Sequence, residues 1–127
     1  MNAHKFVAEF GIEEAKRVLR GAPVCSSAFN VINDFVIYYQ MCDNWWWYNS
    51  AKKEYEMDYG KSMKIDLSEL KQVVESVEIV ESKGGLRKLK KEANCLFYNG
   101  FEGIAESYEK SIADYELVGS YKENQHV

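Results

Sequence analysis

Residue types able to carry chemistry are sparse in this 127-residue chain, and their spacing brings none of them together. The two histidines, His4 and His126, stand near opposite ends. The three cysteines, Cys25, Cys42 and Cys95, are far apart and form no C-x-x-C pair. A zinc site or a redox dithiol needs its ligands in close register, so neither is indicated, and free thiols in a reducing compartment are the expectation. The phosphate-cradling G-x-x-x-x-G-K-[ST], dinucleotide G-x-G-x-x-G and nucleophile-elbow G-x-S-x-G patterns do not occur. Most of the 20 Asp and Glu residues fall along prospective helix surfaces. The sequence therefore nominates no catalytic residue, no metal ligand and no cofactor, and the expectation is a protein that is not an enzyme.

Two other groups of residues have binding potential. The first is aromatic: Trp45, Trp46, Trp47 and Tyr48 follow one another, with Tyr55 and Tyr59 shortly after. Large aromatics with a polar handle are favoured anchors at protein interfaces. In a strand, Trp45 and Trp47 point one way and Trp46 and Tyr48 the other, so four adjacent aromatics cannot share one core. One pair faces either a partner, a second copy of the chain, or further cover from the fold. Base stacking is chemically feasible, but Lys52 and Lys53 are the only cations at hand. The second group is basic: Lys83, Arg87, Lys88, Lys90 and Lys91 lie within nine residues. With Arg17 and Arg20 it offers a surface for nucleic acid or an acidic partner, Arg87, Lys88 and Lys91 lying on one side of a short helix. The plainer reading is a solvated helix side that pairs internally with an acidic last helix. A net charge of -4 makes nucleic acid the less favoured partner.

Elements that position these groups are legible from apolar spacing. Residues 2–10 read as a short helix burying Phe6, Val7 and Phe10, broken by Gly11. Ile12–Arg20 reads as a second helix, with Gly21, Ala22 and Pro23 ending it. Residues 29–39 read as a helix, capped by Ser26 or Ser27 and apolar on several sides, with a strand over Phe35–Tyr39 as the alternative. Trp45–Asn49 against Glu54–Tyr59 reads as a β-hairpin turning near Ala51, because Glu54–Tyr59 alternates charged with apolar. Met63–Ile65 adds a short third strand.

The chain is organised around Ile65–Ala93. Leu67, Leu70, Val73, Val74, Val77 and Val80 line one side of a helix that Asp66 or Ser68 caps. Gly84 stops it and Gly85 turns the chain. A short helix follows, striped with Leu86, Leu89 and Ala93, then a break over Asn94–Gly100. Phe101, Ile104, Tyr108, Ile112, Tyr115 and Val118 mark a last helix that ends at Gly119, with Glu102, Glu106, Glu109 and Asp114 outside.

These readings give an α+β, mainly helical fold: about five helices packed with a small antiparallel hairpin over residues 45–59. Residues 1–119 are expected to form one domain and residues 120–127 a flexible polar tail. No segment has the length of unbroken apolar sequence that a membrane helix needs, and no apolar run follows a basic start, so a cytoplasmic protein is expected.

The run Asp66-Leu67-Ser68-Glu69-Leu70-Lys71-Gln72-Val73-Val74-Glu75-Ser76, followed by Val80-Glu81-Ser82-Lys83-Gly84-Gly85-Leu86 with Lys88 and Lys90, resembles small early-region accessory proteins of lambdoid bacteriophages and prophages. Lys5-Phe6-Val7 with Gly11 and Ala15-Lys16 is similar to their start, and Ser111-Ile112-Ala113-Asp114 to their closing helix. Residues 35–59 depart from the pattern. The resemblance implies a phage or prophage protein acting in the cytoplasm of a bacterial host. Many small proteins of that kind bind a host factor stoichiometrically, including components of antiviral defence. The expected partner is thus a host or phage protein, with a homodimer as an alternative and no membrane.

Overall fold

The computed structural model describes residues 1–60 and 62–124. It is an α+β fold, mainly helical, with five helices and five strands among the described residues. In chain order these are α1 (Ala3–Phe10), α2 (Ile12–Gly21), β1 (Ala28–Ile32), β2 (Phe35–Cys42), β3 (Asn44–Asn49), β4 (Glu54–Met57), β5 (Ile65–Asp66), α3 (Leu67–Ser82), α4 (Leu86–Tyr98) and α5 (Glu102–Asn124).

Local chemistry explains the helix ends. The Asn2 side chain accepts from the Lys5 amide and starts α1. Gly11, at φ +88°, turns α1 directly into α2. Asp66 caps α3 by accepting from the Ser68 and Glu69 amides at 2.8 and 3.1 Å. Ser68 is therefore not the cap. Instead its hydroxyl joins Asp66, and that bond is the main reason the Asp66 carboxyl lies below its ordinary pKa. Lys83 and Gly84 close α3, and the expected apolar side of that helix is the buried one.

The sheet is antiparallel in the order β4-β3-β2-β1-β5. It is larger than the expected hairpin, because residues 29–39 form two strands and not a helix. Phe29 pairs with Tyr38 and Ile32 with Phe35 around the two-residue turn Asn33-Asp34. Both turn residues have positive φ, 49° and 70°, as a tight hairpin turn twisted to match its strands requires. The β-branched and aromatic content of the segment outweighs its helical spacing. Ser26 and Ser27 cap nothing: the Ser26 hydroxyl bonds the Pro23 carbonyl, and Ser27 joins the sheet by donating to Tyr39 and accepting from Leu67. The short strand after the hairpin is Ile65–Asp66, and it pairs with β1 on the far edge.

Helices cover one sheet face. Phe29, Ile65 and the half-buried Val31, Val36 and Tyr38 pack there with Phe6, Val18, Leu70 and Val73. Phe6 meets Phe29 edge-on at 5.0 Å. Phe10 is not part of this core. It is 45% exposed and only stacks on Phe6. A second cluster, Val80, Leu89, Ala93 and Ile112, sits where α3, α4 and α5 meet.

Two helices outrun their expected ends. The break expected at Asn94 falls at Asn99–Gly100, where Gly100 takes φ +86°. The last helix continues through Gly119 to Asn124. A glycine inside a helix costs about 1 kcal/mol. Buried Val118 and the packing of Tyr121 against the core offset it, and Asn2 donates to the Tyr121 hydroxyl at 3.0 Å. Of the expected loose tail, residues 120–124 are helical, while residues 125–127, including His126, lie outside the described residues.

Candidate partner-binding site

The aromatic run lies in β3, and its register decides which way each ring points. Trp47 pairs with Tyr39 and Trp45 with Met41, which puts them on one face with Phe35 and Ile37. Trp46 pairs with Met57 and Tyr48 with Tyr55, on the opposite face. The expected alternation of the four aromatics is therefore present. The helices, however, lie on the Trp46 and Tyr48 side, as the packing of Val36 and Tyr38 against α2 and its neighbours shows. The side without helices carries Trp45 and Trp47.

That outer face is strongly apolar. Phe35 is 73% exposed, Met41 51% and Ile32 40%. Ile37, Trp45 and Trp47 are half-buried. Sequence reasoning missed Ile32, Phe35, Ile37 and Met41 as site residues. Reading 28–42 as two strands would have found them, since Ile32 and Phe35 then share the face of Trp47.

Part of the outer face is covered by the chain itself. Because β4 and β5 occupy opposite edges, the segment joining them must pass over the sheet. Lys64 lies with Nζ 4.7 Å from the Tyr39 ring centre and 5.1 Å from that of Trp45. Its ammonium stands 3.0 Å from Asp58 Oδ2, both side chains being largely buried. The angles there are poor, so Asp58 Oδ2 lacks a hydrogen bond among the described residues, and Lys64 is its charge partner by proximity. The Tyr39 and Ser62 hydroxyls are 3.3 Å apart. This strap buries Tyr39 and leaves the Phe35 end of the face open.

On the helix side, Trp46 donates to the Cys42 carbonyl at 3.2 Å, and Tyr48 meets Tyr55 edge-on at 5.1 Å. The Tyr55 hydroxyl donates to the Val24 carbonyl at 2.9 Å, and that of Tyr38 to the Val18 carbonyl at 2.6 Å. Burial raises the pKa of both phenols. These bonds tie the hairpin to α2 and the loop after it, so Tyr48 and Tyr55 serve the fold. Tyr59 is 87% exposed and belongs to neither group of rings. The β2–β3 ladder spans only Tyr39–Cys42 against Asn44–Trp47. Beyond it the strands part around a cleft of about 300 Å³ lined by Phe35, Ile37, Trp47 and Tyr48 among others.

The basic residues are not gathered into one surface. Arg17 bonds Glu14 at 2.7 Å on α2. Lys90 of α4 pairs with Glu116 at 2.7 Å, and Lys83, at the end of α3, with Glu92 of α4 at 3.5 Å. Lys88 folds back over Gly84, and Arg87, Lys88 and Lys91 are exposed cations of α4 without an ion-pair partner among the described residues. Arg20 is exposed at the end of α2. The acidic last helix thus pairs with the basic segment through Lys90.

One constellation escaped the sequence. His4 Nε2 lies 2.9 Å from Asp114 Oδ1, and the Ser76 hydroxyl donates to Asp114 Oδ2 at 2.7 Å. Glu69 stands 3.7 Å from His4 Nδ1. Asp114 is therefore not on the outer surface of α5. A serine nucleophile needs a base at its hydroxyl. Here the carboxylate separates Ser76 from His4, and the group is a clamp joining α1, α3 and α5. Among the described residues no cluster of His, Cys, Asp and Glu has the form of a metal site, and all three cysteines are free and exposed. No helix there is long and apolar enough to cross a membrane. No family model, curated protein or solved structure matches the chain.

Proposed function

We propose that this chain is a non-enzymatic phage or prophage accessory protein that docks a host or phage protein on the outer face of its sheet and blocks that partner's function, host defence being the leading target class. The observation that carries the reading is the exposure of Phe35 beside Ile32, Ile37 and Trp47 on a sheet face with no helix over it. Exposed, contiguous apolar side chains are characteristic of interaction surfaces. The resemblance in residues 66–90 supplies the biological setting. The alternative of a nucleic-acid regulator is served less well, because Arg17, Lys83 and Lys90 are engaged by carboxylates.

An affinity capture from a bacterial lysate, with and without nuclease, tests the reading. Wild-type protein should retain a nuclease-resistant protein partner that Phe35→Asp loses, with far-UV circular dichroism unchanged. Retention of nucleic acid alone, or of a partner indifferent to both Phe35→Asp and Trp47→Ala, would overturn it.

A further inference from the structure

The β1–β2 hairpin outruns the sheet that carries it. β5 pairs with β1 only at Ala28 and Phe29, and β3 pairs with β2 only from Tyr39 to Cys42. Nearer the turn, the hairpin has no ladder partner on either side among the described residues. Register fixes which backbone groups this leaves open. Asn33 and Asp34 both have positive φ, and a turn of that type closes with the Phe35 amide donating to the Ile32 carbonyl. Bonding then alternates along the pair, so Phe35 and Ile37 bond β1, while Val36 turns its N–H and C=O outward, toward β3. Val31, opposite Val36, turns outward at the other edge. The two edges differ. The Val31 amide is satisfied by Asn30 Oδ1 at 2.9 Å. Val36 lies beyond the end of the β2–β3 ladder, and neither of its backbone groups has a hydrogen-bond partner among the described residues. It borders the cleft where β2 and β3 part, with Phe35, Ile37 and Trp47 toward the outer face and Gly21, Pro23 and Tyr48 toward the helices.

We propose that the docked protein supplies an extended strand that pairs with β2 at Val36. This rests on the reading of the outer face as the docking surface, and it names the form the partner takes there. The open backbone groups select the occupant. A donor and an acceptor side by side in strand geometry are met by another extended backbone, which offers the complementary pair at the same spacing. A helix has its backbone groups engaged internally, and a sugar-phosphate chain brings acceptors without the matching donors. Register also sets the side chains of the incoming strand. The residue opposite Val36 points into the helix side of the cleft, beside Gly21, Pro23 and Tyr48, and its two neighbours point to the outer face against Phe35, Ile37 and Trp47. The strand is therefore apolar on both sides where it meets β2.

Amide hydrogen exchange by NMR, with a probe peptide, tests this. The probe is a short capped peptide of consecutive valines flanked by threonine and lysine. In the free protein the Val36 amide should exchange faster than those of Phe35 and Ile37, and the peptide should slow it. Val36→Pro deletes the outward N–H and leaves the bonds from Phe35 and Ile37 to β1 in place, because proline is tolerated where a strand's N–H faces no ladder partner. It should weaken peptide binding about tenfold, as loss of a backbone hydrogen bond does. Val31→Pro, the same change at the self-satisfied edge, should bind the peptide as wild type does. Circular dichroism confirms folding, and if Val36→Pro does not fold, the wild-type exchange data decide alone. A Val36 amide already protected in the free protein would overturn the proposal. So would a peptide that does not bind, or one that binds folded Val36→Pro equally well. A Val36-dependent homodimer in sedimentation velocity would assign the edge to a second copy and overturn it too. A captured partner that Phe35→Asp loses and Val36→Pro keeps would leave the docking reading standing and remove the strand, so the two failures are distinct.

Discussion

The Ser76 hydroxyl donates to the Asp114 carboxylate across 2.7 Å, and His4 approaches the other carboxylate oxygen at 2.9 Å. One acidic side chain on α5 thereby fixes α1 and α3, which between them carry most of the main core cluster. Removing it leaves Ser76, itself buried, without its acceptor. Asp114→Ala should lower unfolding free energy by about 2–3 kcal/mol and Ser76→Ala by about 1 kcal/mol, the usual difference between charged and neutral hydrogen-bond losses. In urea unfolding, an Asp114→Ala midpoint equal to wild type would show that the clamp contributes nothing. A double-mutant cycle then measures the pair directly.

The β1–β2 turn holds Asn33 and Asp34 at positive φ. Asp tolerates the left-handed region with some strain, whereas Gly enters it freely. Asp34→Gly should therefore stabilise the protein by about 0.5 kcal/mol, since relief of strain outweighs the added freedom of the unfolded chain. A thermal midpoint raised by about 2 °C is the expected signal. A lowered midpoint would mean that the Asp side chain itself supports the turn.

That same turn explains what the sequence concealed. The α3 core stripe was legible because six apolar residues at helical spacing sit between an Asp cap and a double glycine. The β3–β4 hairpin was legible because Glu54–Tyr59 alternates. Residues 28–42 were not, since Phe29, Ile32, Val36 and Tyr39 fit helical spacing as well as Phe35, Ile37 and Tyr39 fit strand alternation. Only Asn33-Asp34 separates the two readings, and it lacks the glycine that normally flags a hairpin. Missing β1 and β2 concealed Phe35 and Ile37, and with them the half of the outer face that the strap leaves open. The His4, Ser76 and Asp114 clamp was illegible for another reason: its members lie on three helices, and nothing local to any of them signals the others.

Asp66 gives a pH-dependent test. Its carboxyl lies below its ordinary pKa, chiefly because the Ser68 hydroxyl donates to it, with the Ser68 and Glu69 amides adding to the effect. A depressed carboxylate contributes stability that is fully present above its unfolded pKa, about 3.9, and is lost as pH falls through the folded value. Asp66→Ala should thus cost about 1 kcal/mol at neutral pH, less in high salt because the site is exposed. The gap to wild type should close below about pH 4. A gap independent of pH would assign the effect to the turn geometry and not to the charge.

The strap over the outer face is tested at Lys64. Its ammonium lies over the rings of Tyr39 and Trp45 and beside the buried Asp58 Oδ2. Truncating it removes both attractions and strands a carboxylate that has no hydrogen bond at that oxygen. Lys64→Ala should cost about 3 kcal/mol, as breaking one side of a buried pair generally does. Lys64→Met/Asp58→Asn keeps the volume and removes both charges, so it should recover much of that loss. Trp45 sits under the strap, so its fluorescence should shift to longer wavelength in Lys64→Ala and return toward wild type in the double variant. If the double variant is no more stable than Lys64→Ala, the strap is held by its backbone, and the uncompensated charge of Asp58 is not what destabilises the single mutant.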